Sequence, residues 1–211
     1  LTLESKVQSI INGDNGIIYV ATWTKGLYVF SRDGILKEHI TAAVAAKLQY
    51  DRIICAVLSR NKKYIWIGYN GGKGFSKFCI SDGSVSHYTV NVSLPESRAA
   101  NTINYITENE DGSVWLSTYG GGLLLYNTAT NSFKSYTSNN GLQSDFIFQT
   151  EMDNHQNLWI STPTEIFFKP AGKEDITRTG IQLPDLNNDV LQNIFRGPKG
   201  NFIFSGAQDG T

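Results

Sequence analysis

A set of short polar residues recurs at one place in the sequence. Ser5, Asn101, Asp145 and Asp189 each stand fourteen residues before a large apolar or aromatic side chain (Tyr19, Trp115, Trp159 and Ile203), and Asp51 stands fifteen before Trp66. A ring of Asp and Asn could accept hydrogen bonds from sugar hydroxyls or coordinate a cation. The same residues at turns also bond neighbouring loop backbone, and both uses fit here. A second group is aromatic or cationic. Trp23-Thr24-Lys25, Tyr69-Asn70 and Tyr119 lie in turn-like stretches, where flat rings can stack on a pyranose face or simply roof the core. Arg98, in the long polar stretch before Asn101, can pair with a carboxylate-bearing sugar or stand solvated.

Whether these residues meet depends on the elements that carry them, and those elements repeat. Ile103 to Gly112, Ser113 to Thr118, Tyr119 to Tyr126 and Ser132 to Tyr136 form one copy. The anchor of each copy is Tyr19, Trp66, Trp115, Trp159 or Ile203, at intervals of 47, 49, 44 and 44 residues. A period in this range suits one β-propeller blade. Runs such as Val114-Trp115-Leu116-Ser117-Thr118 alternate as strands do. Asn15-Gly16, Asp111-Gly112 and Lys199-Gly200 supply tight turns between the first and second strands. Each copy therefore reads as a four-stranded meander, a-b-c-d. Gly26, Gly74, Gly122 and Gly210 open or approach strand c, where the backbone turns sharply or packs closely; the fourth copy has Pro163-Thr-Glu-Ile166 instead, which predicts a shorter or kinked connection. A lone leaf leaves apolar surface on both faces, so the anchors are expected between stacked blades. Only Ala42 to Gln49, rich in Ala, breaks the β pattern and suggests a helical turn.

The fold class is thus all-β: a β-propeller fragment of four four-stranded antiparallel blades plus the first two strands of a fifth. Residues 1–211 read as one partial propeller, with blades at about 5–45, 50–92, 101–138, 145–184 and an incomplete 189–211. Composition agrees, with 12% aromatic residues and 20 Gly among 211 residues. A net charge of −1 lacks the basic footprint that nucleic acid or an anionic membrane surface requires. The apolar runs are too short for a spanning helix of about 20 residues.

The run Ile106-Thr-Glu-Asn-Glu-Asp-Gly-Ser-Val-Trp-Leu-Ser-Thr-Tyr-Gly-Gly-Gly-Leu-Leu-Leu-Tyr126, followed by Phe133-Lys-Ser-Tyr136 and Asn140-Gly-Leu142, resembles the two-component regulator propeller repeat. Such repeats build the periplasmic sensor regions of hybrid two-component systems in Bacteroidetes, which sense polysaccharide breakdown products. The resemblance implies a periplasmic ligand-sensing propeller whose parent protein is anchored in the inner membrane. It also implies an oligosaccharide ligand, and as partners the remaining blades and the C-terminal sensor and histidine kinase modules. The incomplete fifth blade would expose an edge strand open to self-association.

Catalysis is not expected of this chain. His39 and His87 fall on outer d strands and His155 in an a-b turn at the opposite end of a leaf, so no two can share a site. Asp51, Asp145 and Asp189 could approach one another as a glycoside hydrolase pair does, but no general acid stands apart from them. A propeller lyase or hydrolase and a protein-interaction scaffold are the alternative readings. No cofactor or metal is implied. Cys55 and Cys79 belong to strands a and c of one blade, about twice the ~4.8 Å strand spacing apart, so no disulfide is expected.

Overall fold

The structure is a computed structural model that describes residues 3–43, 47–90, 97–182, 190–197 and 201–207. Its first leaf comprises β1 (Val7–Asn12), β2 (Ile18–Thr22), β3 (Leu27–Phe30) and β4 (Leu36–Ile40). The second comprises β5 (Ile53–Leu58), β6 (Tyr64–Tyr69), β7 (Phe75–Cys79) and β8 (Val85–Tyr88). A four-residue helix, α1 (Ser97–Ala100), leads into β9 (Ile103–Glu108). Then come β10 (Val114–Thr118), β11 (Leu123–Asn127) and β12 (Ser132–Tyr136), and next β13 (Gln149–Met152), β14 (Leu158–Ser161), β15 (Glu165–Lys169) and β16 (Thr177–Gln182). The last leaf holds β17 (Val190–Arg196) and β18 (Phe202–Ala207) among the described residues. Every sheet is a meander in chain order, four strands each in the first four and two in the fifth. The middle of the Ala-rich run, residues 44–46, on which the expected helical turn falls, lies outside the described residues.

The chain forms two compact units, Leu1–Glu108 and Asn109–Thr211. In the first unit, β1 packs beside β5 and β5 beside β9; in the second, β13 packs beside β17. Within each unit, strands a of successive leaves are therefore neighbours. Backbone and side chains stitch them: Ala56 N–H donates to Ser9 Oγ at 3.0 Å, and the Gln149 amide donates to the Ile194 carbonyl at 2.7 Å.

The alternating apolar pattern explains the layering. The second strand is the most buried in each of the first three leaves, and β10 is buried along its whole length; the outermost β12 exposes most of its residues. Tyr19, Leu27, Ile40, Ile53, Ile65 and Phe78 share one core in the first unit. Trp115, Leu123, Met152, Ile160 and Phe167 share another in the second. Tyr19, Trp115 and Trp159 lie between leaves as expected from the recurrence, whereas Ile203 is exposed. Tyr19 meets Phe78 edge-on at 6.1 Å, and Trp159 packs on Phe202 at 5.0 Å. Their polar atoms are treated unevenly. Asn109 accepts the Trp115 indole N–H at 3.0 Å, and Asp153 accepts that of Trp159 at 3.4 Å. In the second leaf Ser59 takes the place of those acceptors, and the buried Trp66 N–H has no hydrogen-bond partner among the described residues.

The connection between β14 and β15, Thr162 to Thr164, is shorter than the four residues between β2 and β3, in keeping with the missing glycine. Elsewhere that glycine is required. Gly74 has φ +71°, and a Cβ there would sit 2.2 Å from the Tyr88 carbonyl oxygen. Gly26 and Gly122 repeat this against the carbonyls of Ile40 and Tyr136, at 2.4 and 2.3 Å. Gly210 and Lys199-Gly200 lie outside the described residues.

Candidate functional site

The recurring Asp and Asn residues do the same job in three places. In the first unit, Asp51 accepts the Ala42 N–H on Oδ1 at 2.7 Å, while its own carbonyl accepts the Gly26 N–H at 3.0 Å. Asn101 accepts the Val90 N–H at 2.6 Å, donates to the Val90 carbonyl at 2.9 Å, and takes the Gly74 N–H on its carbonyl at 2.7 Å. In the second unit, Asp145 accepts the Ser138 N–H at 2.7 Å and the Ser138 hydroxyl at 3.0 Å, and its carbonyl accepts the Gly122 N–H at 2.8 Å. Each residue thus clasps the glycine turn and the d-a connection of the leaf before it. Asn101 is only 5% exposed, and of the two uses open to it the bond to backbone is the one its side chain makes. Ser5, with no described leaf before it, accepts the N–H and hydroxyl of Thr24 in its own leaf, both at 2.9 Å. Asp189 lies outside the described residues.

The aromatic candidates divide. Tyr69 ends β6 rather than lying in a loop, and its side chain is 0% exposed, so it has no face for a ligand. Burial pushes its phenol up to about 12, against the pull of Ser76 and the Gln49 backbone beside it. Tyr119 is the opposite case, at 53% exposed. Its ring meets Phe146, itself 43% exposed, edge-to-face at 5.1 Å and 84°, the geometry aromatic quadrupoles favour. A β-bridge joins the two residues. The Asp145 carbonyl also takes the Gly120 N–H at 3.1 Å, and Ser144 Oγ accepts the Phe146 N–H at 3.1 Å. The loops under the rings are therefore held before any ligand arrives. Sequence reading missed Phe146. Its signal was positional: Lys6, Arg52 and Thr102 hold the same place after the recurring polar residue in the first three copies, and a Phe among them is out of character.

In the first unit the structure brings Arg98 onto the connection between β6 and β7. A Cβ on Gly72 would lie 2.7 Å from the Arg98 Cγ, so the guanidinium stem rests on the loop that begins at Asn70. Asn70 is half-buried, and its N–H donates to the Arg52 carbonyl at 3.1 Å. Lys73 in that loop stands 5.9 Å over the Tyr50 ring. Neither Lys73 nor Tyr50 was marked by the sequence. Between β2 and β3, Trp23 is half-buried with its N–H on the Lys6 carbonyl at 2.8 Å. Lys25 stands 3.9 Å from the exposed Glu4 carboxylate, a separation worth little in water.

The histidines are dispersed. His39, on β4, stacks on Tyr28 at 4.0 Å and bonds the Lys25 carbonyl at 2.6 Å. His87, on β8, bonds Ser76 at 2.7 Å, and His155 lies in the turn before β14 in the other unit. Cys55 on β5 and Cys79 on β7 are free, with β6 between them. Burial pushes the Cys55 thiol up to about 12, which makes it inert at neutral pH.

No family model and no curated protein matches the chain. Solved structures do. The extracellular domain of the putative hybrid two-component system BT3049 from B. thetaiotaomicron superposes with a TM-score of 0.72 at 21% identity, over 95% of this chain and 25% of that one. That of BT4673 from the same organism gives 0.74 at 17% identity, over 95% and 26%. The WD40 propeller domain of Doa1 gives 0.68 at 14%, over 99% and 63%. The chain spans about a quarter of the length of the two sensor domains. With leaves of the same make, the same strand order and these superpositions, the chain has the β-propeller fold.

Proposed function

We propose that the chain is part of the extracytoplasmic sensor propeller of a hybrid two-component system. It binds a polysaccharide-derived oligosaccharide and passes the binding event to a histidine kinase elsewhere in the parent protein, which is anchored in the inner membrane. The exposed, pre-braced Tyr119–Phe146 pair carries this reading. Adjacent exposed rings on a braced loop mark a surface for a ligand or partner, and the C–H face of a pyranose stacks on the face of such a ring. Arg98 and Lys73 supply cationic groups for a sugar carboxylate in the first unit. Trp23, Lys25 and Asn70 are further candidates in that same unit, each on the connection between the second and third strands of its own leaf. The superpositions on extracellular sensor domains support the class. Among the described residues no helix is long and apolar enough to cross a membrane.

The chain acts as a binder rather than a catalyst. Asp51 and Asp145, the acids a hydrolase would use, spend their carboxylates on backbone N–H groups. Phe195 and Ile203, cross-strand partners on β17 and β18, are exposed at 49% and 54%. They are covered by further blades of the parent protein or by a second copy of this chain. To transmit a signal, the ligand must bind two arrangements of the sensor unequally.

The test is a thermal-shift and calorimetric screen against a panel of oligosaccharides, neutral and uronic. Saturable binding without turnover supports the sensor. Turnover of a glycan would establish an enzyme instead, and silence towards every glycan together with a protein captured in a pull-down would establish a scaffold.

A further inference from the structure

A cleft of about 380 Å³ opens in the second unit at the opposite end of β10 from Tyr119. It lies among the turn before β10, the turn before β14 and the turn Pro170 to Gly172 after β15. Its deeper wall is apolar, formed by Trp115, Leu125 and Met152. The Glu110 and Asp111 side chains also line it and are exposed. Asp111 is ionised at neutral pH, because the Ser113 hydroxyl and N–H donate to its Oδ1 at 2.6 and 2.8 Å and hold its carboxyl below the usual range. Among the described residues that line it, Lys169 is the one cation, and it keeps its charge. Its ammonium donates to the Lys173 carbonyl and stands 5.6 Å over the Trp115 ring.

We propose that this cleft binds a small amphipathic cation, an ammonium or guanidinium on a hydrocarbon stem, with the stem against Trp115, Leu125 and Met152 and the charge towards Asp111 and Glu110. An anion would meet two carboxylates against one ammonium, and a neutral ligand would leave those two carboxylates without a counter-charge. The site stands apart from the Tyr119–Phe146 pair, so the two readings fail independently.

The intact chain is titrated with n-hexylammonium and with hexanoate, a pair of equal length and opposite charge, following the Trp115 indole N–H resonance. Hexylammonium is expected to shift it saturably, with hexanoate about tenfold weaker or worse. The double variant Glu110→Gln/Asp111→Asn keeps the acceptor for Ser113 and is expected to lose about tenfold in hexylammonium affinity. The wild-type affinity should fall likewise at about 1 M salt, where the screening length is about 3 Å. Equal or tighter binding of hexanoate, no saturable shift with hexylammonium, or an affinity indifferent to both the variant and salt would each overturn the proposal.

Discussion

Replacing Asn101 by Ala separates a clasp from a ligand contact. The side chain satisfies both the N–H and the carbonyl of Val90, at 2.6 and 2.9 Å, and Val90 is itself 4% exposed. Water cannot readily take over, so two buried backbone groups lose their partner. At about 1–3 kcal/mol for each orphaned group, the loss is about 2–6 kcal/mol. With about 2–4 °C of Tm per kcal/mol at this chain length, melting should fall by about 4–24 °C. Asn101→Asp should also destabilise, since it keeps the acceptor for the N–H but turns a carboxylate oxygen towards the Val90 carbonyl. The assay is thermal unfolding by circular dichroism, with urea unfolding as a check, and with Tyr119→Ala, expected to melt within about 1–2 °C of the parent, as the control. A melting point for Asn101→Ala as close to the parent as that control would refute the clasp and return Asn101 to the list of ligand acceptors.

Other outcomes follow from single contacts. Gly74→Ala sets a Cβ 2.2 Å from the Tyr88 carbonyl at a φ of +71°, so it should cost more than the ~1 kcal/mol of a simple left-handed penalty, read as a lower urea midpoint. Ser59→Asn offers the orphaned Trp66 N–H the acceptor that Asn109 gives Trp115; it should raise stability by about 1 kcal/mol, and an unchanged melting point would show that the longer turn holds the amide out of reach. Burial pushes the Glu151 carboxyl above its ordinary value, with Arg196 pulling the other way. A carboxyl raised in the folded state favours folding when protonated and loses that contribution as pH rises through its folded value. Glu151→Gln should therefore match the parent near pH 4 and gain on it as pH rises towards 7; a gain that does not grow with pH would refute the burial effect.

The leaves were legible because their cause is local and repeated. An aromatic anchor, alternating runs and a glycine before strand c recur at one period, and Tyr19, Trp66, Trp115 and Trp159 pack between strands as that pattern demands. The polar residues were legible in position and not in role. Asp51, Asn101 and Asp145 stood out through their spacing, but whether an Asx side chain faces a channel or the backbone of the preceding leaf depends on contacts some ten residues upstream. Tyr69 and Tyr119 look alike in sequence, each at the end of strand b. They diverge because Tyr69 joins the core shared by the first two leaves while Tyr119 bridges to Phe146 at the surface. Phe146 itself follows a clasp residue, where periodicity alone assigns it to the start of a strand.

Ligand recognition at the aromatic pair is tested most directly by saturation-transfer NMR on the intact chain with a uronic and a neutral oligosaccharide pool, repeated on Tyr119→Ala and on Asp51→Asn. Transfer to sugar C–H protons should be present in the parent, abolished without the Tyr119 ring, and kept when Asp51 retains its acceptor for Ala42. Transfer that survives the loss of Tyr119, or that vanishes with Asp51→Asn in a protein that still melts normally, would contradict it.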